Sequence, residues 1–146
     1  MRRLNPAGPY LGPAMNTSTS TTPFTVLIVE DDLAQAGALA TYFRVSTNYR
    51  VEVAHDADAA LASARRNSPD VAIVDIGLPD KDGLILVREL SDLLLKKPLF
   101  LALTGHPDLA DQLFKAGFQH YYLKPADPTV LETVIRLHEY QQRTGS

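Results

Sequence analysis

Short apolar runs alternate with longer amphipathic segments from residue 24 onward. The run VAIV at residues 71–74 is apolar at every position, as expected for a strand that is buried on both faces of a parallel sheet. Five such runs predict strands at residues 25–29, 51–54, 71–74, 99–103 and 120–123. The segments between these runs have the length of helices, so the alternation indicates repeated strand–helix units.

Apolar residues at helical spacing mark the segments between the strands. The predicted helices cover residues 33–44, 56–66, 84–95, 107–116 and 128–140. Asp56 and Asp127 are candidate N-caps, and Gly117 is a candidate C-terminal stop. In the last helix we expect the core-facing residues to be Val130, Val134 and Leu137. Together these elements predict one α/β domain, with helices on both faces of a doubly wound, five-stranded parallel sheet.

The two ends of the chain differ in composition from the segment between them. Residues 1–23 are rich in proline, glycine, serine and threonine, and such a segment buries too little apolar surface to offset its ordering entropy. We therefore predict a disordered tail over residues 1–23, a domain over residues 24–141 and a short tail over residues 142–146. Met15 is an alternative start of the chain.

Charge and composition exclude several classes of protein. The net charge of −3 and the absence of a long basic run argue against direct binding of nucleic acid. The chain has no cysteine, which excludes disulfides and thiolate metal sites. No stretch approaches 18 apolar residues. We therefore expect a cytoplasmic protein without membrane insertion.

Polar side chains follow four of the predicted strands, at the point where each strand ends. Glu30 and Asp31 follow the first strand, Asp75 the third, Thr104 the fourth and Lys124 the fifth. The carboxyl ends of parallel strands meet at one edge of the sheet, where ligands bind in open α/β folds. The sequence therefore predicts a site at this edge that combines acids, a hydroxyl and a lysine.

This set of side chains suits phosphoryl chemistry. Clustered carboxylates repel one another unless a cation neutralises them, and Mg²⁺ prefers oxygen ligands, so Asp31, Asp75 and Glu30 form a candidate magnesium pocket. A carboxylate beside a metal ion and a lysine can attack phosphorus, which would make Asp75 an acyl phosphate. Thr104 and Lys124 could then hold the phosphoryl oxygens.

Four motifs carry a family resemblance. "VLIVEDD", "VDIGLPDKDG", "ALTG" and "YYLKP" stand in order at the ends of the first, third, fourth and fifth strands. The chain from about residue 24 to residue 140 resembles the receiver domain of two-component response regulators, which has a flavodoxin-like (βα)5 fold. More weakly, it resembles the receivers attached to hybrid histidine kinases.

The resemblance implies a role for each matching residue. Asp75 would be the phosphorylation site, and Asp31 and, usually through water, Glu30 would serve Mg²⁺. The backbone carbonyl of Gly77 would be a further metal ligand, and Thr104 and Lys124 would hold the phosphoryl group.

Further roles implied by the resemblance concern switching and partners. Tyr121 would turn inward when Thr104 moves towards the phosphate, and Gly77 and His106 occupy positions that influence phosphoryl hydrolysis. The phosphodonor would be a histidine kinase or a histidine phosphotransfer protein. A downstream protein would bind helix 4, strand 5 and helix 5, and catalysis would be limited to the domain's own phosphorylation and dephosphorylation.

Less specific roles are expected for the other loop residues near Asp31 and Asp75. Pro79 and Gly83 are expected to shape the loop, with Gly83 adopting backbone conformations that a β-carbon would forbid. Asp32, Asp80 and Asp82 are expected to be solvated loop or cap residues.

Other functions compete with this interpretation. A receiver could serve as a docking domain that is never phosphorylated. A phosphatase of the haloacid dehalogenase type needs a second aspartate where the chain has Gly77, and a flavodoxin-like cofactor binder would not place "EDD" beside a phosphate. Among receivers, a stand-alone regulator, a relay shuttle and a receiver excised from a larger protein all remain open.

Overall fold

Five parallel strands form one sheet in the computed structural model, which describes residues 22–145. Numbered along the chain, the strands are β1 (Thr25–Val29), β2 (Arg50–Ala54), β3 (Val71–Asp75), β4 (Leu99–Thr104) and β5 (His120–Leu123). Their order across the sheet is β2-β1-β3-β4-β5, and every neighbouring pair is parallel. The predicted doubly wound sheet is therefore confirmed.

A helix connects each strand to the next, and a fifth helix follows β5. The helices are α1 (Leu33–Ser46), α2 (Ala57–Arg66), α3 (Gly83–Leu93), α4 (Ala110–Ala116) and α5 (Pro128–Arg143). A 3₁₀ turn (Pro107–Leu109) precedes α4. The region predicted as one helix over residues 107–116 is therefore divided into two elements.

The core lies on both faces of the sheet. Because side chains alternate along a strand, Ala72 and Val74 of β3 face α2, α3 and α4, whereas Val71 and Ile73 face α1 and α5. All four side chains are buried. This arrangement explains why β3 is apolar at consecutive positions, and it leaves only the strand ends for polar chemistry.

The prediction for the buried face of α5 was wrong at two of its three positions. Val130 is 45% exposed and Leu137 is 58% exposed, whereas Leu131 and Ile135 are fully buried. Val134 packs partly against the core. Two overlapping apolar stripes at helical spacing are present in this segment, and the packing of α5 on the sheet selects the one that contains Leu131.

Helix ends account for most remaining differences from the predicted bounds. α1 runs two residues further than predicted, to Ser46, and α5 three residues further, to Arg143. α3 begins at Gly83 and ends at Leu93, two residues before the predicted end. Residues 1–21 and 146 lie outside the described part of the chain, so the predicted tails and domain bounds stay predictions.

No helix between residues 22 and 145 has the length and apolar character that crossing a membrane requires.

Candidate functional site

The carboxyl edge of the sheet gathers the predicted polar residues. Asp75 and Thr104 are the last residues of β3 and β4, and Glu30 and Lys124 directly follow β1 and β5. β1 and β3 are neighbours, and the chain turns to opposite sides of the sheet from this pair, which is where ligands bind in doubly wound folds. Asp75 and Thr104 are therefore placed by the backbone hydrogen bonds of the central strands.

Lys124 joins two buried carboxylates. Its Nζ lies 2.9 Å from Glu30 Oε1 and 3.1 Å from Asp75 Oδ2. Glu30 is 3% exposed and Asp75 is 6% exposed. Backbone amides supply further hydrogen bonds, from Asp32 to Glu30 Oε2 at 3.2 Å and from Gly77 to Asp75 Oδ1 at 3.1 Å. Lys124 is thus shared as a cation by these two carboxylates.

Burial and hydrogen bonding have opposite effects on the pKa values of Glu30 and Lys124. Burial raises the pKa of the Glu30 carboxyl, and the carboxyl of Asp75 adds to this effect, while hydrogen bonds from Lys124 and from the Asp32 amide oppose it. Burial alone would lower the pKa of the Lys124 ammonium, but its hydrogen bonds to Glu30 and Asp75 outweigh burial and raise that pKa. Lys124 is therefore charged at neutral pH.

Three acids at this edge could hold a metal ion. One carboxylate oxygen each from Glu30, Asp31 and Asp75 lies within 4.8 Å of the other two. Oxygens that share one Mg²⁺ lie at most about 4.2 Å apart, because each is about 2.1 Å from the ion. A small movement or a bridging water would therefore complete the geometry, and an all-oxygen donor set fits Mg²⁺ rather than a softer metal.

Thr104 is buried at the end of β4, where it pairs with the last residue of β5. Its side-chain oxygen accepts a hydrogen bond from the His106 amide at 3.0 Å, and its carbonyl accepts one from the Lys124 amide at 2.9 Å. The backbone hydrogen bond thus places Thr104 and Lys124 next to each other at this edge. The side chain of His106 is exposed in the following loop, and its influence on hydrolysis stays a prediction.

Tyr121 packs on the face of β5 that α4 covers. Its half-buried ring meets that of Phe114 from α4 edge-on, with 5.9 Å between ring centroids. Tyr122, the next residue, packs on the opposite side of the sheet. Tyr121 is therefore the tyrosine on the α4 side of β5, and its role as a switch stays a prediction.

The loop between β3 and α3 is compact because of Gly83. A β-carbon on Gly83 would lie 2.9 Å from Ile76 Cα and 3.1 Å from the Asp75 carbonyl oxygen. Its φ lies outside the left-handed region, so the reason predicted for this glycine was wrong. Close approach of two backbone segments, rather than an unusual conformation, requires glycine here.

Three aspartates around the site cap helices. Asp32 and Asp82 cap α1 and α3 through local hydrogen bonds, in agreement with the cap role expected for them. Asp80 binds instead to the start of α2, where its carboxylate accepts from the amides of Ala57 at 2.9 Å and Asp58 at 3.2 Å. The sequence contains no signal for this contact, because 23 residues separate Asp80 from Ala57.

Comparison with known proteins identifies the family. The sequence profile of the response regulator receiver domain matches residues 26–136. The chain belongs to this family. The chain is therefore a receiver domain of the kind found in two-component systems, as its four motifs predicted.

The receiver domain is similar to parts of larger proteins. The probable transcriptional regulatory protein TcrX of Mycobacterium tuberculosis is 34% identical over 125 residues, which cover 84% of this chain and 52% of that protein. The virulence transcriptional regulatory protein PhoP of Salmonella typhimurium is 37% identical over 122 residues, covering 82% and 53%. The chain thus spans about half the length of these curated relatives.

Solved structures have the same fold. A CheY-like receiver domain from Methanospirillum hungatei superimposes with a TM-score of 0.75 at 28% identity, and the match covers 85% of this chain and all of the other.

Proposed function

We propose that this receiver domain accepts a phosphoryl group on Asp75, in a Mg²⁺-dependent reaction, from a histidine kinase or a histidine phosphotransfer protein. The observation that carries the proposal is the ammonium of Lys124, which lies 3.1 Å from a buried Asp75 carboxylate beside two further acids. A surface aspartate that only closes a strand needs none of these partners.

The proposed chemistry is an in-line displacement at phosphorus. An oxygen of Asp75 forms a bond to phosphorus as the bond to the donor imidazole breaks, and the imidazole leaves with the electron pair and takes up a proton. Lys124 and the hydroxyl of Thr104 stabilise the phosphoryl oxygens. Glu30, Asp31 and the Gly77 carbonyl would hold Mg²⁺, which supplies neutralising charge for the same oxygens when bound.

A cleft beside Lys124 supports a protein donor. It has a volume of about 230 Å³ and lies between α1 and the loop that follows β5. Its walls are mostly apolar side chains, including Ala38, Leu39, Pro125 and Ala126. An amphipathic helix that carries the phosphohistidine could bury apolar residues there while it presents phosphorus to Asp75.

The proposed output of phosphorylation is a change in protein binding at the surface formed by α4, β5 and α5. Thr104 and Tyr121 would couple phosphorylation to the surface of α4, β5 and α5. Large apolar side chains are at least 45% exposed there, at Phe114, Leu123, Val130, Leu137 and Tyr140. A difference of about 1.4 kcal/mol between the two states would change partner affinity tenfold.

Catalysis under this proposal is limited to the domain's own phosphorylation and dephosphorylation. Direct binding of nucleic acid is not part of the proposal, because a sequence with a net charge of −3 and no long basic run does not favour it. Cytoplasmic localisation is the setting in which such a kinase-dependent reaction is expected.

The proposal is tested by intact mass after incubation with Mg²⁺ and acetyl phosphate. We expect wild type to gain one phosphoryl group, and we expect no gain with a chelator or in Asp75→Asn, which lacks the nucleophile. Asp82→Asn is the matched control, because it replaces an exposed aspartate of the same loop by another good helix cap. A gain in Asp75→Asn, or none in wild type, would contradict the proposal; the second result favours a docking domain.

A further inference from the structure

The N-terminus of α2 has two carboxylate caps from different parts of the chain. Asp56 is the local N-cap, and its Oδ1 accepts from the Ala59 amide at 2.8 Å. Asp80, from the loop between β3 and α3, accepts from Ala57 and Asp58. Without Asp80, Asp56 would still cap the N-terminus of α2. What the bonds from Asp80 add is an attachment of the loop to α2.

The same loop carries the residue that would supply a backbone ligand to the metal. Gly77 is exposed and is fixed at one side by the hydrogen bond from its amide to Asp75 Oδ1. Beyond it, Leu78 is buried, Pro79 is exposed, and Asp80 makes the two bonds to α2. Gly77 therefore lies between two anchors, one on the nucleophile and one on a neighbouring helix.

We propose that Asp80 is a positioning residue that holds the loop against α2, so that the backbone of Gly77 keeps the direction needed at the metal site. This inference rests on the proposed function, because it assigns Gly77 a role in Mg²⁺ binding. It gives Asp80 no contact with the metal or with the phosphoryl group.

The electrostatics of Asp80 agree with this role. The hydrogen bond from the Ala57 amide is the largest cause that lowers the pKa of its carboxyl, so the anchor is ionised at neutral pH. A negative charge is also favourable at the N-terminus of a helix. The next residue extends the attachment to α3, since Lys81 Nζ lies 2.7 Å from Glu89 Oε1. The loop is thus tied to both helices that flank it.

The test compares Asp80→Ala with Asp56→Ala in the full chain. Both variants remove one carboxylate cap from the same helix end, so both should lose thermal stability to a similar extent. Only Asp80→Ala should weaken Mn²⁺ binding, by about tenfold, as is typical when a residue that orients a metal ligand is removed. Binding is measured from the free Mn²⁺ signal in electron paramagnetic resonance.

A conservative variant and a readout without metal complete the experiment. Asp80→Asn keeps an oxygen acceptor for the Ala57 amide and should recover most of the Mn²⁺ affinity. Amide hydrogen exchange at Gly77, measured without metal, should become faster in Asp80→Ala and stay unchanged in Asp56→Ala.

Each outcome decides the question. Mn²⁺ binding by Asp80→Ala that equals wild type, or an equal loss in Asp56→Ala, would overturn the positioning role while the proposed function stands. No Mn²⁺ binding by wild type would overturn the proposed metal site, and the positioning role with it. A selective loss in Asp80→Ala that Asp80→Asn repairs supports the inference.

Discussion

Lys124 is positioned to balance charge in the folded domain, in addition to its part in the proposed reaction. It is the shared cation of Glu30 and Asp75, which are almost completely buried. A buried carboxylate that loses its partner is strongly destabilising, although the 26% exposure of the Lys124 side chain lets water reduce the cost. The site therefore depends on one lysine for charge balance.

Removal of this lysine should cost stability. We expect Lys124→Met to lower the free energy of unfolding by about 2 kcal/mol, because it leaves two close carboxylates without a cation. Added Mg²⁺ should restore part of the loss if the acids bind it. Urea unfolding with and without Mg²⁺ measures both effects.

The matched control is Lys115→Met. Lys115 is exposed and forms no ion pair within residues 22–145. Its replacement should change stability by less than about 0.5 kcal/mol. Equal effects of the two variants would contradict the role assigned to Lys124.

The place of a site residue in the fold could be predicted from the sequence where that residue stands at the end of a strand. Asp75 and Thr104 directly end apolar runs, so their edge of the sheet follows from the strand pattern. The contact of Asp80 with α2 could not be predicted, because Ala57 lies 23 residues earlier in the chain. A cap of that kind depends on how two loops pack, and no local motif records it.

At the scale of elements, Gly83 beside the site and Gly37 in α1 differ in whether the structure has space for a β-carbon. A β-carbon at Gly83 would meet backbone atoms of Asp75 and Ile76, whereas one at Gly37 would meet nothing within 4 Å. Gly37 lies inside α1, where glycine is less favourable than alanine. The same substitution should therefore have opposite signs at the two positions.

Gly83→Ala and Gly37→Ala test this difference. We expect Gly83→Ala to lower the free energy of unfolding by about 2 kcal/mol, because backbone must move to admit the methyl group. Gly37→Ala should raise it by up to about 1 kcal/mol. Thermal unfolding followed by circular dichroism gives both values. A stable Gly83→Ala protein would show that the loop can move without cost.

Across the whole molecule, the edge of the sheet opposite the site contains a partly buried histidine. The His138 ring from α5 lies 6.4 Å from the ring of Phe24, measured between centroids. Burial is the larger cause that lowers the pKa of the His138 imidazole; the charge of Lys96 adds to it, and Asp70 opposes it only partly. The folded protein therefore favours neutral His138.

Stability should fall as the solution is made mildly acidic. The unfolded chain binds a proton at His138 near pH ~6.5, while the folded chain binds it only at lower pH. Between these two values the unfolded state holds more protons, so the free energy of unfolding decreases as the pH is lowered through this window. His138→Gln should show a smaller decrease between about pH 7.5 and about pH 5.5 in urea titrations.

His120→Gln is the comparison for this measurement, since it replaces an exposed histidine on β5. The difference between wild type and His138→Gln isolates the histidine from the acids that titrate in the same range. Identical pH dependence in the wild type and His138→Gln would contradict a coupling between His138 and folding.

The sequence by itself determined the alternation of strands and helices and the set of residues at the strand ends. Both are local properties, since apolar periodicity reports burial and the end of an apolar run reports the edge of a strand. The resemblance of the four motifs was sufficient to predict the family.

Only the tertiary structure decided which distant groups meet. It paired Lys124 with both Glu30 and Asp75 inside the predicted site, selected Leu131 instead of Val130 for the core, and attached Asp80 to α2. Such contacts depend on strand order, on helix rotation and on the close approach of loops. These quantities arise from the packing of the whole domain, and a sequence pattern of a few residues contains no measure of them.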